Sequence, residues 1–491
     1  GSYPLQDFKT LENVQVPVTK FLQWSEQCDD GLLYFLTPRG SPIKNQSGPV
    51  ILNSRGELIW TRHFDNVGSE PYNFGVQSYQ GEDHLTFWVG EDMVHGHGTG
   101  YNYILNSAYE VVDTIGTMDN SMPDLHEFSI TDNATALVSV YDGVRRVQDS
   151  VYFWDCSIRE IDLQTRQLRW EWRASDHVDA EETYQPIRTQ GTPNKPFDWF
   201  HINSAQKDEL GNYLFSSRYL HSVLYVDGRT KETIWRLGGK KNSFMDLSGG
   251  NATNFAYQHD ARLHPTDTFP KLYRPPPERP GFTTKLLTFE VDKTQFFPMS
   301  DLDIEKVLAN NGSDPNFTVR VVMSYENPTR IHSISQGNVQ LIPQGRGEDP
   351  KVLVGYGHTA AWTEFAANGT VLCDVRFAAN GYQDKHVLSY MSYRVHKLPW
   401  TGKPKWKPTV VVDADTLYVS WMGATDVGGW AVEFSSSGET AWWETLRVRK
   451  TRFEESIAIP DGVGIGRYIR VVALDEHGAR MANGISNAVD R

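Results

Sequence analysis

One short phrase recurs along the chain. An apolar strand meets an Asn or Asp turn and is followed by a second short strand that often ends in Trp. ILNSRGELIW closes on Trp60, EIDLQTRQLRW on Trp170 and LYVDGRTKETIW on Trp235. Weaker copies are ILNSAYEVV near Val111, FTVRVVMSY near Val322 and FAANGTVLC near Val371. Asp162 to Trp170 and Asp227 to Trp235 are both steps of eight residues, so the hairpin has a fixed size. A β-rich unit returning about every 50 to 65 residues cannot bury both faces of its sheet alone. Six such units stacked around an axis predict a six-bladed β-propeller, and the locked Trp60, Trp170 and Trp235 are core residues of its blades.

The propeller is expected over residues 15–404. Within it, 265–318 carries PPPERP and two sequons and reads as a surface insertion, where LDIEKVLAN (302–310) is the best helical candidate. The Pro/Lys-rich LPWTGKPKWKP marks a junction. From 405 to 491 short alternating strands follow one another, as in TVVVDADTLYVSW, WWETLRVRK and GRYIRVVALDEHG. That texture predicts a β-sandwich of fibronectin III/Ig-like type. The fold class is therefore all-β.

Composition narrows the partners. The 491 residues carry a formal net charge of −14, which argues against nucleic acid and against anionic membrane surfaces. No apolar run approaches the roughly 18 residues of a membrane span. The chain starts Gly1-Ser2 without an initiator Met, read here as a cloning remnant replacing a removed signal segment. Six sequons, at Asn45, Asn133, Asn251, Asn311, Asn316 and Asn368, agree with a eukaryotic secretory-pathway or extracellular glycoprotein. Three cysteines make no disulfide scaffold and no zinc spacing. One bridge between Cys28, near the chain start, and Cys373, in the last repeat, would staple a ring shut. Three unpaired buried thiols are the alternative.

The chemistry-bearing residues cluster at strand starts. In FDWFHINSA, Asp198, Trp199, Phe200, His201 and Asn203 open a strand, and His201 and Asn203 share one of its faces. They either face a ligand or bond their own Asp198 and the next blade. Tyr257-Gln258-His259-Asp260 is the next blade's counterpart, where Asp260 could fix the His259 tautomer. Arg218, Arg330 and His332 offer cations or a base, while Asn338, His358 and Trp362 come from the fifth and sixth blades. His95-Gly96-His97 has the look of a metal pair, but without a further ligand nearby it reads as a glycine-rich rim loop. No metal, nucleotide fingerprint or other cofactor is implied.

DWFHINSAQKDELGNYLFSSRYLHSVLYVDGRTKETIWRLGG, FAYQHDARL, VYFWDCSIREIDLQTRQLRWEWRASDHV, GNVQLIPQG and CDDGLLYFLTPRG occur in an order that resembles the arylsulfotransferase family in its fungal branch, over roughly 15–405. The resemblance implies a six-bladed propeller and, in bacterial members, sulfate transfer between phenols through a sulfated histidine. Fungal relatives include hetero-Diels–Alderases of secondary metabolism that join a tropolone-derived quinone methide to a humulene-type sesquiterpene. Asp198-x-x-His201-x-Asn203 matches the family's Asp-x-x-His-x-Asn motif, and His259 stands where its second histidine does. His332 and His358 are candidates for the nucleophile by order along the chain, and neither sits in a matching motif. A hetero-Diels–Alderase is therefore the first expectation, an arylsulfotransferase the second and a non-catalytic binding propeller the third. Small-molecule substrates are expected: a tropolone or phenol, and a sesquiterpene.

Overall fold

The computed structural model describes residues 4–14, 16–40, 48–64, 69–92, 96–116, 121–131, 134–147, 151–264, 283–289, 299–307, 316–329, 331–378, 391–459 and 466–491. They form an all-β protein of many small, mostly antiparallel sheets. Sheet I is built from Glu70–Tyr79, Glu82–Glu91, Thr99–Leu105 and Val111–Ile115. Sheet II takes Phe128–Ile130, Thr135–Val147, Val151–Asp162 and Leu168–Arg173. Sheet III has Ile202–Lys207, Tyr213–Ser217, Ser222–Val226 and Thr233–Gly238. Sheet IV runs from His259–His264 through Thr283–Phe289, Met299–Val307 and Asn316–Tyr325 to Phe244–Asp246. Sheet V holds Asn338–Ile342, Lys351–Gly355, Ala361–Phe365, Val371–Arg376 and Lys20–Gln23. Sheet VI joins the two parts of the chain: Val395–Leu398 pairs with Leu33–Leu36, followed by Val50–Leu52 and Leu58–Thr61.

Each copy of the repeated phrase falls in a different one of these sheets; in five of them an Asn or Asp makes the turn, whereas FTVRVVMSY runs as one continuous strand. Asp162 Oδ1 accepts the amides of Gln164 and Thr165, and Asp227 Oδ1 accepts those of Arg229 and Thr230. Such side-chain-to-backbone bonds are why these residue types recur at tight turns. The tryptophans pack onto neighbouring rings: Trp60 stacks on Tyr109, Trp170 on Tyr213 and Trp235 on Tyr225.

The first-named strand of each sheet lies at its edge, and these six edges are clasped in a closed circuit. Gln77 of sheet I bonds the backbone of Phe128 and Ile130 in sheet II. Glu127, just ahead of that strand, accepts the amide of Ala205 in sheet III. Gln206 bonds both backbone groups of Leu263 in sheet IV. His259 Nδ1 meets Gly337 O, one residue ahead of sheet V, at 2.8 Å. Gln340 bonds both backbone groups of Lys397 in sheet VI. His396 Nδ1 returns to Phe74 O of sheet I at 2.9 Å. Polar side chains thus satisfy edge backbone groups that would otherwise be buried without partners.

Where the ring closes, Cys28 and Cys373 form a disulfide. Next to it, Lys397 Nζ, fully buried, bonds Cys28 O, Asp30 and Glu364, and Tyr34 donates to the same Glu364. Cys156 is a buried free thiol. After the ring, Thr409–Asp413, Thr416–Ser420 and Glu455–Ala458 form a three-stranded sheet. Gly429–Ser435, Trp443–Arg449, Tyr468–Leu474, Arg480–Ile485 and Val489–Asp490 form a second sheet. Leu417, Val419, Trp430, Phe434, Ile469 and Val471 of the two sheets share one core. The N-terminal arm reaches it through Phe8 on Phe453 and Thr10 on Glu454.

The expected helix at 302–310 is corrected by the structure. Met299–Val307 is a strand paired on both sides, and Thr283–Phe289 is its neighbour, so these parts of the expected insertion are sheet IV itself. Leu302-Asp303-Ile304-Glu305 alternates apolar and polar, and pairing on both edges overrides local helix propensity. Asn45, Asn133 and Asn311 lie outside the described residues. Asn316 opens a strand, and Asn251 and Asn368 are exposed. Among the described residues no helix is long and apolar enough to cross a membrane.

Candidate functional site

The start of Ile202–Lys207 explains how the FDWFHINSA stretch works. His201 takes a left-handed backbone angle, φ 54°, and this bend brings its ring back to Asp198, with Nδ1 2.5 Å from Oδ2. A second pair of the same type stands on the neighbouring sheet. Asp124 Oδ2 is 2.6 Å from His126 Nδ1 and is itself held by the Ser139 hydroxyl and the His126 amide, while Oδ1 takes the Gly98 amide. In each pair the carboxylate takes Nδ1–H, so the neutral ring presents Nε2 as its basic nitrogen. The two imidazoles meet edge to face with centroids 5.0 Å apart.

Further rings surround them. His97 stacks on Tyr141 at 4.2 Å and meets the edge of Trp154. Tyr219 lies 4.9 Å from His201. His259 is 6.2 Å from His126, and its Nε2 is 3.3 Å from the Tyr393 hydroxyl. Because Gly337 O accepts Nδ1–H, His259 Nε2 is the acceptor of that hydroxyl. An aromatic row continues outward: Tyr219, Tyr257, His221 and exposed Tyr184, with His221 and Tyr184 stacked at 4.5 Å.

Burial sets the protonation states. It lowers His201, although Asp198 pulls the other way, and it lowers His97. Burial, reinforced by Arg394, His126 and Arg218, holds His259 well below the usual imidazole range. Burial pushes Asp124 up, yet His126 and His97 outweigh it and hold the carboxyl at about 2. Asp198 is held down in the same manner by His201. Burial and Asp198 push Tyr219 up to about 12. His97, His201 and His259 therefore favour the neutral imidazole, and Asp124 and Asp198 the ionised carboxylate.

Arg218 borders the cluster, 6% exposed, its Nη atoms donating to Tyr257 O and Ile334 O and its guanidinium 5.1 Å from the Tyr257 ring centroid. Among the described residues no carboxylate forms an ion pair with it. Arg394 is committed instead, 3.1 Å from Asp260 and bonded to Asn73 and Asn203 O.

Asp198, His201, Arg218, Tyr257 and His259 are thus brought together, but several other sequence candidates are not. Asn203 donates to Gln258 O, and Gln258 donates to Ser216, Ser217 and Ser222, so both clasp sheet III to sheet IV. Asn338 spends its whole amide on Val395. Trp199 and Phe200 belong to a core with Phe153 and Trp172, and Trp362 is packed between Tyr34 and Phe377. Asp260 does not set the His259 tautomer; it pairs with Arg262 and Arg394. His358 is half-buried beside Arg39, whose charge, after burial, lowers it further. His332 is half-buried, its carbonyl accepting the Thr359 hydroxyl. Arg330 and His95 lie outside the described residues. His97 is buried in the cluster rather than on a rim loop, and among the described residues no group of side chains is arranged to hold a metal.

Sequence reasoning missed His126, Tyr141, Tyr219 and Tyr393. For His126 there was a signal: Asp124-x-His126 just ahead of Phe128–Ile130 echoes Asp198-x-x-His201 ahead of Ile202–Lys207.

Comparison with known families matches residues 75–378 to the model of the arylsulfotransferase (ASST) family. A comparison with curated protein sequences gives no significant match. Among solved structures, a protein of unknown function from Bacteroides caccae is 12% identical with a TM-score of 0.40, over 75% of this chain and 99% of that one. A Lactobacillus plantarum protein is 9% identical with a TM-score of 0.28, again over 75% and 99%. Drosophila Semaphorin 2a is 8% identical with a TM-score of 0.29, over 96% and 98%. At these scores the likenesses carry no argument.

Proposed function

The chain belongs to the arylsulfotransferase family, and within it we propose that this member is a small-molecule enzyme of the hetero-Diels–Alderase type. In this reading the six clasped sheets are the blades of a propeller, the C-terminal pair of sheets is a fibronectin III/Ig-like sandwich, and the paired histidines lie at the axis. The substrates are a hydroxymethyl tropolone and a humulene-type sesquiterpene. The disulfide and the exposed sequons Asn251 and Asn368 support an extracellular or secretory-pathway glycoprotein of fungal secondary metabolism.

One observation carries this reading: two carboxylate-oriented histidines meet edge to face, 5.0 Å apart, among aromatic side chains. Forming the quinone methide removes water, which needs a base for the tropolone O–H and an acid for the departing hydroxyl. In this reading His201 Nε2 takes the tropolone O–H proton, and the imidazolium so formed returns that proton to the departing hydroxyl, directly or through His126; water leaves and both rings end as they began. The cycloaddition then forms two bonds and releases nothing. It needs alignment, which is worth up to about 7–11 kcal/mol in favourable cases, and a hydrogen bond or cation at the enone oxygen. Arg218 supplies positive potential there, and Tyr141, Tyr219 and Trp154 supply apolar surface for a hydrocarbon partner.

Sulfuryl transfer is the second reading, favoured by the buried Arg218 that lacks a carboxylate. Against it, His259 Nε2 already faces the Tyr393 hydroxyl, and the Arg218 Nη atoms bond backbone carbonyls. The test is two assays on the purified protein. One supplies p-nitrophenyl sulfate and a phenol; the other supplies hydroxymethyl tropolone and humulene, with product chirality read out. A single enantiomer of adduct, lost in both His201→Ala and His126→Ala, supports the cycloaddition. Sulfate transfer without adduct overturns it, and silence in both assays leaves a binding protein.

A further inference from the structure

Arg39 follows Leu33–Leu36 of sheet VI and is 1% exposed. Its backbone is fixed by paired bonds with Met391. Its guanidinium lies 3.9 Å above the Tyr72 ring, its Nη2 donates to Gln336 Oε1 at 2.7 Å, and its Nε stands 3.4 Å from Glu70. The remaining nitrogen, Nη1, is buried and has no acceptor among the described residues. A guanidinium N–H left unmet in the interior is costly and uncommon, and native sites retain one where something else supplies the oxygen.

The surroundings place this nitrogen at the same centre. Tyr72 is 5.4 Å from Tyr393, the residue whose hydroxyl reaches His259 Nε2. Gln336, in a left-handed backbone conformation at φ 68°, immediately precedes Gly337, whose carbonyl fixes His259 Nδ1. His358 lies close enough for the Arg39 charge to bear on it. Arg39 therefore stands behind Tyr72, which meets Tyr393, and its partner Gln336 lies two residues from Ile334, whose carbonyl Arg218 bonds.

We propose that Arg39 Nη1 is a second oxyanion-binding point of the site, taking an anionic substrate oxygen beside the Tyr72–Tyr393–His259 rings. A fork held flat on Tyr72 with one edge open suits an oxygen of a tropolonate or of a sulfate. The inference rests on the reading of the cluster as a small-molecule site. It applies to whichever of the two reactions runs there.

Titrations of the full chain test it, with tropolone followed by the absorbance of its anion and inorganic sulfate followed by calorimetry. Tropolone methyl ether, which has no acidic oxygen, is the control. Arg39→Met is expected to weaken binding of at least one anion by about tenfold or more, and to leave the methyl ether unchanged. Tropolone alone affected identifies a tropolonate point, and sulfate alone a sulfuryl point. Arg39→Lys keeps the charge without the fork and is expected to fall between, which preserves the test if Arg39→Met does not fold. Wild-type affinity for both anions in both variants means that Nη1 bonds only water and overturns the proposal, as does a wild-type protein that binds neither anion. Arg39-dependent anion binding without turnover in either assay would leave this point standing while removing the enzymatic reading.

Discussion

Oδ2 of Asp198 and Nδ1 of His201 stand 2.5 Å apart because His201 occupies the left-handed region of backbone space, where a side chain is strained and needs its surroundings to hold it. This contact decides which nitrogen of His201 is free to act. Asp198→Asn keeps the size of the group, but its amide can donate to Nδ1 and so move the ring proton to Nε2. The expected result is a fall in kcat of about 10²–10⁴-fold with KM changed far less. Equal losses in both constants would mean that Asp198 serves binding or folding instead.

Stability should depend on pH in a defined direction. His97, His201, His259, His358 and His396 are all lowered, chiefly by burial, so the unfolded chain takes up protons at a higher pH than the folded one. Their contribution is complete above the ordinary imidazole value of about 6.5 and is lost as pH falls below it. The slope approaches about 1.4 kcal/mol per pH unit for each histidine that remains neutral. Asp124 and Asp198, held low, lose their contribution only further down, below about 4. Melting curves between pH 8 and 5 check this; a flat Tm across that window contradicts it.

Asn338 is expected to behave as a structural clasp. Asn338→Ala removes both bonds to Val395 at the junction of sheets V and VI and should cost about 1–3 kcal/mol. Turnover of the protein that remains folded should be unchanged. Denaturant melts beside a kcat measurement separate the two, and a selective loss of kcat would return Asn338 to the site.

Lys397 and Glu364 are both fully buried, so removing one leaves the other charge stranded. Lys397→Met alone should cost about 3–5 kcal/mol. The double substitution Lys397→Met with Glu364→Leu should recover part of that loss. Urea denaturation of the three proteins measures it, and additive losses would show that the two groups do not act as a pair.

The all-β class was legible because its information is local. An Asx turn needs an Asn or Asp at one place, and Trp60, Trp170 and Trp235 follow theirs by seven or eight residues. The clasping circuit was not legible, since Gln77, Gln206 and Gln340 are ordinary polar residues until the neighbouring edge strand is placed beside them. The same holds for the site. His201 carried its partner three residues away in the chain, whereas Tyr393 meets His259 and His126 only once the ring has closed. Trp362 and Asn338 look like ligand residues by type, and only packing shows that their surfaces are already occupied.

Sheet VI contains strands from both parts of the chain. During synthesis Leu33–Leu36, Val50–Leu52 and Leu58–Thr61 leave the ribosome long before Val395–Leu398, the edge they require. Until that last strand docks, the nascent chain carries an open sheet edge, an unpaired Cys28 and a centre without Tyr393. A chain that ended before Tyr393 would lack both the hydroxyl that meets His259 Nε2 and the strand that completes sheet VI.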